Sequence, residues 1–380
     1  MRKLFYAGVA LLALFELANV WLIMPMPFSQ RVRSIDVAYA LHAWRWPMRA
    51  LCGAMIAAGV RSACRAARGG RWLAPASLAA AAAIVYATNV TMAADHMFVA
   101  PVALRMQPAT RNRVERNRLV LGLEIDGDAR AYPMQFLGYH HQVRDTVGGR
   151  PVVVSYCTVC RTGRVFDPTI DGKAETFRLV GMDHFNAMFE DRSTGSWWRQ
   201  ANGEAIAGPR KGRVLRELPS QQMALATWLR LHPTSRIMQP DSALASHYAK
   251  GFAYETGASR GALTGTDTVS WHDKAWVVGL TVNGASRAYD WNRLKRERAV
   301  NDSLGGTPVL LALARDGVSF VAFERPDAGA RFALRGDSLV AGAVAYALDG
   351  HGAAGSLPPL FASQEFWHSW REFNPETTRY

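Results

Sequence analysis

When the chain is slid along itself by 157 positions, residues 121–167 fall on residues 278–324 without a gap. Gly122 and Leu123 meet Gly279 and Leu280, and Arg130, Ala131 and Tyr132 meet Arg287, Ala288 and Tyr289. Asp145 meets Asp302, the Gly148-Gly149 pair meets Gly305-Gly306, and Phe166 meets Phe323. With a two-residue slip the match runs on through Phe177, Leu179 and Gly181 against Phe332, Leu334 and Gly336. The units also end alike, Trp228 and Pro233 against Trp370 and Pro375. Self-similarity of this extent signals a tandem duplication. Most shared positions are glycines, a proline and apolar residues, which is what strands joined by tight turns require.

The differences are more informative. Cys157 becomes Ala314, Cys160 becomes Gly317, His184 becomes Leu339 and Met188 becomes Ala343, while His140 and His141 become Glu297 and Arg298. Soft and imidazole ligands therefore occupy one copy, and a purely structural role for the cysteines must explain how the other copy folds without them.

The N-terminal stretch is of another kind. Phe5–Met24 is apolar but for Glu16 and Asn19, and Trp72–Ala94 carries no charge; each is about the length of a bilayer-crossing helix. Val37–Val60, interrupted by Arg45 and Arg49, reads as a third span, with an interfacial amphipathic helix as the alternative. Arg2, Lys3, Arg61, Arg65, Arg68 and Arg71 belong on the cytoplasmic side, so three spans carry the remainder outward. The expected location is the bacterial inner membrane, with the soluble part facing the periplasm. Two further apolar segments after the first argue against a cleaved signal peptide.

The net charge of +13 is uneven: residues 1–110 hold 11 Lys and Arg against 3 Asp and Glu, and the remainder 33 against 28. Much of the basicity thus flanks the apolar spans. No basic run is interleaved with aromatics, so nucleic acid is not an expected partner.

Beyond the spans the pattern is α+β and β-rich. Leu119–Ile125 and Ala129–Met134 read as a hairpin around Asp126-Gly127. Phe136–Val147 holds a short helix with His140 and His141. Val152–Tyr156, Arg164–Asp167 and Thr176–Gly181 read as strands, and Gln221–Leu231 as an amphipathic helix. The expected division is a membrane region at 1–94, a first repeat at 95–236, a connector at 237–269 and a second, degenerate repeat at 270–380.

Cys157 and Cys160 close one of these strands in a Gly-ended turn and admit three readings. The first is a metal centre: with His184 and Met188 they make a soft set suited to copper, and with His140 or His141 a zinc-like one. The second is a metal-free redox pair, with Arg161 favouring a thiolate. The third is structural. Thioredoxin-like chemistry is disfavoured, because Thr162-Gly163 leads into a strand rather than a long helix. His184 and Met188 also suit a packed core, and only one of the adjacent His140 and His141 can face a site. Asp145 belongs to turn geometry, and Trp197 and Trp198 line a pocket or a core. Cys52 and Cys64 lie in the membrane portion. No phosphate-cradling loop or nucleophile elbow occurs. A Cys157–His nucleophilic pair stays open, without an oxyanion-hole signature.

The run Tyr156-Cys157-Thr158-Val159-Cys160-Arg161-Thr162-Gly163-Arg164-Val165-Phe166 resembles the hallmark of the domain-of-unknown-function 3179 family. Gly181–Asp191, Ser196–Gln200 and Gly203–Pro209 are similar to its further motifs, and the resemblance covers about residues 95–380. It implies an exported or membrane protein of bacteria or archaea. It also makes Asn186, Trp198 and Glu204, which lie in matched motifs, candidate cofactor-binding residues, although a solvated carboxylate is the plainer reading of Glu204. The chain departs from the commoner pattern at His140–Asp145, at Arg161 and at His184–Asn186. His140 keeps the usual histidine, whereas His184 belongs to a variant.

The expectation is a membrane-anchored, periplasm-facing protein with a copper or, second, zinc or redox centre. Cys157, Cys160 and Arg161 carry the chemistry, and His140, His184 and Met188 are the further metal ligands. A metal-free thiol–disulfide oxidoreductase and a non-catalytic ligand-binding or scaffold module are the alternatives. The expected partners are the lipid bilayer and a small molecule or periplasmic protein.

Overall fold

The structure, a computed structural model, describes residues 1–65, 72–248, 251–256 and 265–380. It divides into two compact units. The first comprises residues 1–99, 176–199 and 204–213, and the second residues 100–175, 200–203 and 214–380. The architecture is mixed and rich in β-structure.

In the first unit, α1 (Arg2–Ile23) packs against α3 (Arg45–Cys64) and α4 (Leu73–Tyr86). Gly59 permits the close approach: a Cβ there would lie 2.7 Å from the Cβ of Phe5. Among the described residues two helices are long and apolar enough to cross a membrane, Arg2–Ile23 with mean hydropathy 1.8 and Leu73–Thr91 with 1.5. The expected span at 37–60 is instead broken at Trp44 into α2 (Ile35–Ala43) and α3. The arginines explain the difference, since they leave α3 too polar to qualify. The outward bookkeeping that rested on three spans therefore does not follow from these helices, and Arg68 and Arg71 lie outside the described residues.

The same unit contains a sheet in the order Ala205–Ala207, Trp197–Arg199, Asn186–Asp191, Phe177–Asp183. Ala38 of α2 packs on Val180, Met188, Trp197 and Ile206 of that sheet, forming one apolar core.

The second unit contains two halves with the same element order and register. Leu119–Ile125 pairs with Asp128–Pro133, and the helix Met134–His140 follows. The strands Gln142–Val147, Arg150–Cys157 and Thr162–Asp167 come next. The second half gives Trp276–Val282, Ala285–Asp290, the helix Trp291–Glu297, Ala299–Leu304, Thr307–Leu313 and Phe320–Glu324. Small details repeat too. Tyr132 donates to Asp145 at 2.7 Å and Tyr289 to Asp302 at 3.0 Å. His141 and Arg298 both close their helices at positive φ, 58° and 63°.

The expected helix at 221–231 is half strand. Gln221–Ala224 pairs with Leu119–Gly122, and only Leu225–Leu231 is helical. Ala362–Phe366 and the helix Trp367–Phe373 do the same on Trp276–Leu280. Each helix drops a tryptophan, Trp228 or Trp370, onto the glycine of the neighbouring strand. A Cβ on Gly122 or Gly279 would fall within the indole. Trp228 donates to Ser235 at 2.7 Å and Trp370 to Thr377 at 2.8 Å.

The halves meet through these added strands in an approximate twofold relation. Gln221–Ala224 packs against Phe320–Glu324, and Ala362–Phe366 against Thr162–Asp167. Gln222 and Gln364, which occupy equivalent positions, touch each other: the Gln364 N–H donates to Gln222 Oε1 at 2.7 Å.

Candidate functional site

The strand Arg150–Cys157 turns back into Thr162–Asp167, so Cys157 and Cys160 share one tight turn, closed by Arg161 at φ 60°. Cys157 and Cys160 are not joined in a disulfide, and both are wholly buried. Cys160 Sγ lies 3.8 Å from Cys157 O. Burial pushes the Cys160 thiol well above its ordinary pKa, and the adjacent Cys157 adds to the rise. That is the opposite of the thiolate expected from Arg161, because the guanidinium is engaged elsewhere. Arg161 donates to Gln364 Oε1 at 2.6 Å and to Glu255 O, and it stacks 3.6 Å from the Trp276 ring centroid.

From this turn a buried polar network runs across to the other half. Phe366 N–H donates to Cys160 O at 3.0 Å. Thr162 and Ser369 donate to Glu365 Oε2 at 3.0 and 2.6 Å, and Arg164 donates to Glu365 Oε1 at 2.9 Å. Arg164 also donates to Ala201 O at 2.8 Å, with Glu217 at 3.6 Å. Glu365 is 1% exposed and Arg164 8%.

The twofold relation supplies a control. The position equivalent to Arg164 is Val321, and the one equivalent to Glu365 is Met223, both buried. The same scaffold thus closes its other end with an apolar pair. A buried ion pair is often no more stabilising than an apolar pair of similar volume. Arg164–Glu365 is therefore not required for folding by the scaffold itself.

Beside the ion pair lies a cavity of about 260 Å³. Its polar wall includes Arg164, Glu365, Glu217, Gln222 and Ser363, and its apolar wall Phe361, Trp370 and Phe373. Gln222 Nε2 and Ser363 Oγ are buried there without a protein hydrogen-bond partner. Burial also raises the Glu217 carboxyl above its usual range, with Glu365 reinforcing the shift, even though 38% of that side chain faces solvent at the mouth.

The other sequence-predicted residues are distributed differently. His140 is buried in the second unit, its Nε2 3.0 Å from the Tyr248 hydroxyl. His184, Asn186, Met188, Trp198 and Glu204 all belong to the first unit. There His184 pairs with Asp183 at 2.6 Å, and Asn186 donates to His184 O at 3.1 Å. Met188 is core, Trp198 donates to Asp191 at 2.8 Å, and Glu204 receives Arg199 at 2.7 Å. Among the described residues no three His, Cys, Asp or Glu side chains are grouped to hold a metal ion. Sequence reasoning missed Arg164, Glu217, Gln222, Ser363 and Glu365. The signal was present in the self-alignment, where Arg164 faces Val321 and Glu365 faces Met223.

Comparison with curated proteins and with solved structures gives no match. The family model described as protein of unknown function (DUF3179) matches residues 101–377, so the chain belongs to that family.

Proposed function

We propose that this protein binds a small, uncharged, hydroxyl-rich molecule in the cavity beside Arg164 and Glu365, while apolar N-terminal helices anchor it to a membrane. The observation that carries the reading is the broken symmetry: a buried ion pair, Arg164 with Glu365, stands beside the cavity where the twin end has Val321 and Met223. Two carboxylates against one guanidinium disfavour an anion. The Gln222 amide and Ser363 hydroxyl offer donors to a ligand oxygen. Phe361, 51% exposed, offers a ring face at the mouth.

The thiol pair takes a supporting part in this reading, holding the turn that presents Thr162 and the Cys160 carbonyl to the network. Copper, zinc or thiol redox chemistry at Cys157 and Cys160 would be a different function on the same turn. The repeated halves are read as a tandem duplication, and the arginine-rich flanks as cytoplasmic, which would place the cavity in the periplasm.

The test is calorimetric titration of the detergent-purified protein with glucose, inositol, glucosamine and gluconate, beside an Arg164→Val, Glu365→Met double variant. Binding of the uncharged compounds, lost in the folded variant, supports the reading. Equal binding by the variant, preference for gluconate, or no binding of any of the four overturns it. Elemental analysis of the same samples and of Cys157→Ser, Cys160→Ser reads the metal alternative separately.

A further inference from the structure

The twofold relation of the halves extends to a second cavity, of about 210 Å³. It is lined by Gly122 and Trp228, as the cavity beside Arg164 is lined by Gly279 and Trp370. Glu124, Gln221 and His232 line it at the positions equivalent to Thr281, Ser363 and Asn374 of the first. Pro359 stands where the first has Glu217. Each pairs with an equivalent phenylalanine, Pro359 with Phe323 and Glu217 with Phe166. The neighbouring leucines agree: Leu360 N–H donates to Ala322 O and Leu218 N–H to Val165 O, at 2.9 and 2.8 Å. The duplicated scaffold thus makes a cavity at both ends and gives each a different wall.

The second wall is mostly apolar, with Leu123, Pro219, Pro359, Leu360 and Phe361. Its polar side chains are Glu124, Ser220, Gln221 and His232. His232 Nδ1 lies 2.6 Å from Glu124, whose side chain is 43% exposed, and its ring stacks 3.9 Å from that of Trp228. Burial holds His232 below its ordinary pKa against the pull of Glu124, so the pair carries one negative charge at neutral pH. That charge disfavours an anion, and its partner and hydration leave little attraction for a cation. Gln221 Oε1 is different. It is buried without a protein hydrogen-bond partner, at the position equivalent to the unpartnered Ser363 hydroxyl. A buried acceptor left unpaired costs free energy that a ligand donor recovers. Pro219, Pro359 and the exposed Phe361 ring offer flat faces that suit an aromatic ring. We infer that this cavity binds a small, uncharged aromatic molecule through one N–H or O–H donated to Gln221 Oε1. It does so whatever fills the cavity beside Arg164.

The experiment is calorimetric titration of the full chain in detergent with phenol, toluene, cyclohexanol and benzoate, each corrected for a protein-free detergent blank. The expected result is saturable binding of one phenol per chain. Toluene lacks the donor, cyclohexanol the aromatic ring and benzoate the neutrality, so each should bind at least tenfold more weakly. Gln221→Leu should weaken phenol at least tenfold and leave toluene within twofold, a pattern that misfolding would not produce. Pro219→Trp narrows the cavity without removing the acceptor and should weaken phenol and toluene alike, which keeps the test decisive if Gln221→Leu does not fold. Neither residue lines the cavity beside Arg164, so these losses report on the second cavity. Absence of phenol binding, or phenol binding unchanged in Gln221→Leu or Pro219→Trp, overturns the site. Toluene, cyclohexanol or benzoate binding as tightly as phenol overturns the assignment of its ligand.

Discussion

At the scale of single residues, the buried ion pair gives the sharpest energetic expectation. Arg164→Val or Glu365→Met alone strands a charge beneath the surface and should cost about 3–5 kcal/mol. The double substitution copies the twin end, Val321 and Met223, and should be neutral or stabilising by about 1–4 kcal/mol. Thermal unfolding of the three variants checks the non-additivity, and a double variant as unstable as the singles would deny the equivalence of the two ends.

His141 gives a pH expectation. Burial lowers its pKa to about 4, so the folded protein holds a neutral imidazole. Stability from this group is complete above about pH 6.5 and declines as the pH falls toward about 4, by about 3 kcal/mol in total. His141→Asn tolerates the positive φ and should flatten that part of the stability–pH curve. Burial depresses His368 in the same way, so part of the slope will persist in the variant.

At the scale of elements, the two glycine–tryptophan contacts fix how each short helix seats on its sheet. Gly279→Ala sets a methyl group inside the space of the Trp370 ring and should destabilise by about 1–3 kcal/mol. Gly279→Ala with Trp370→Leu should recover part of that loss, which chemical denaturation can read.

Much at this scale was legible beforehand. The hairpin at 119–134 and the strand into Cys157 follow from alternation, turn residues and the Gly148-Gly149 pair, whereas the short helix expected within 136–147 lies at Met134–His140 and Gln142–Val147 is a strand. The strand Gln221–Ala224 was not legible, because four residues of mixed polarity continuous with Leu225–Leu231 share the helix's periodicity. Only pairing to the edge at Leu119–Gly122 makes them extended. The break at Trp44 escaped for a similar reason, since composition measures the apolarity of 37–60 but not its continuity.

At the scale of the whole molecule, the sequence singled out the turn at Cys157 and Cys160 but not the residues of the other half that pack against it. Cys157 and Cys160 stand out by residue type, whereas Arg164, Gln222 and Glu365 become a site only when the two halves are brought together. Spacing along the chain could not place Glu365, which lies some 200 positions from Arg164, on that arginine. Cys157→Ala, which copies Ala314, should therefore cost only about 1 kcal/mol and leave glucose or inositol binding within about twofold of the wild type, as calorimetry would show.

The twofold relation of the halves has a consequence for how such a site can arise. Arg164 comes from one half and Glu365 from the other, and the opposite end carries Val321 and Met223. Two identical subunits joined the same way would have to bury that charged pair at both ends or at neither. Linking the halves in one polypeptide lets the two ends drift apart, so that one keeps an apolar pair and the other an ion pair beside a cavity. A single charged end for every two halves is thus open to the covalent pair and closed to a symmetric dimer.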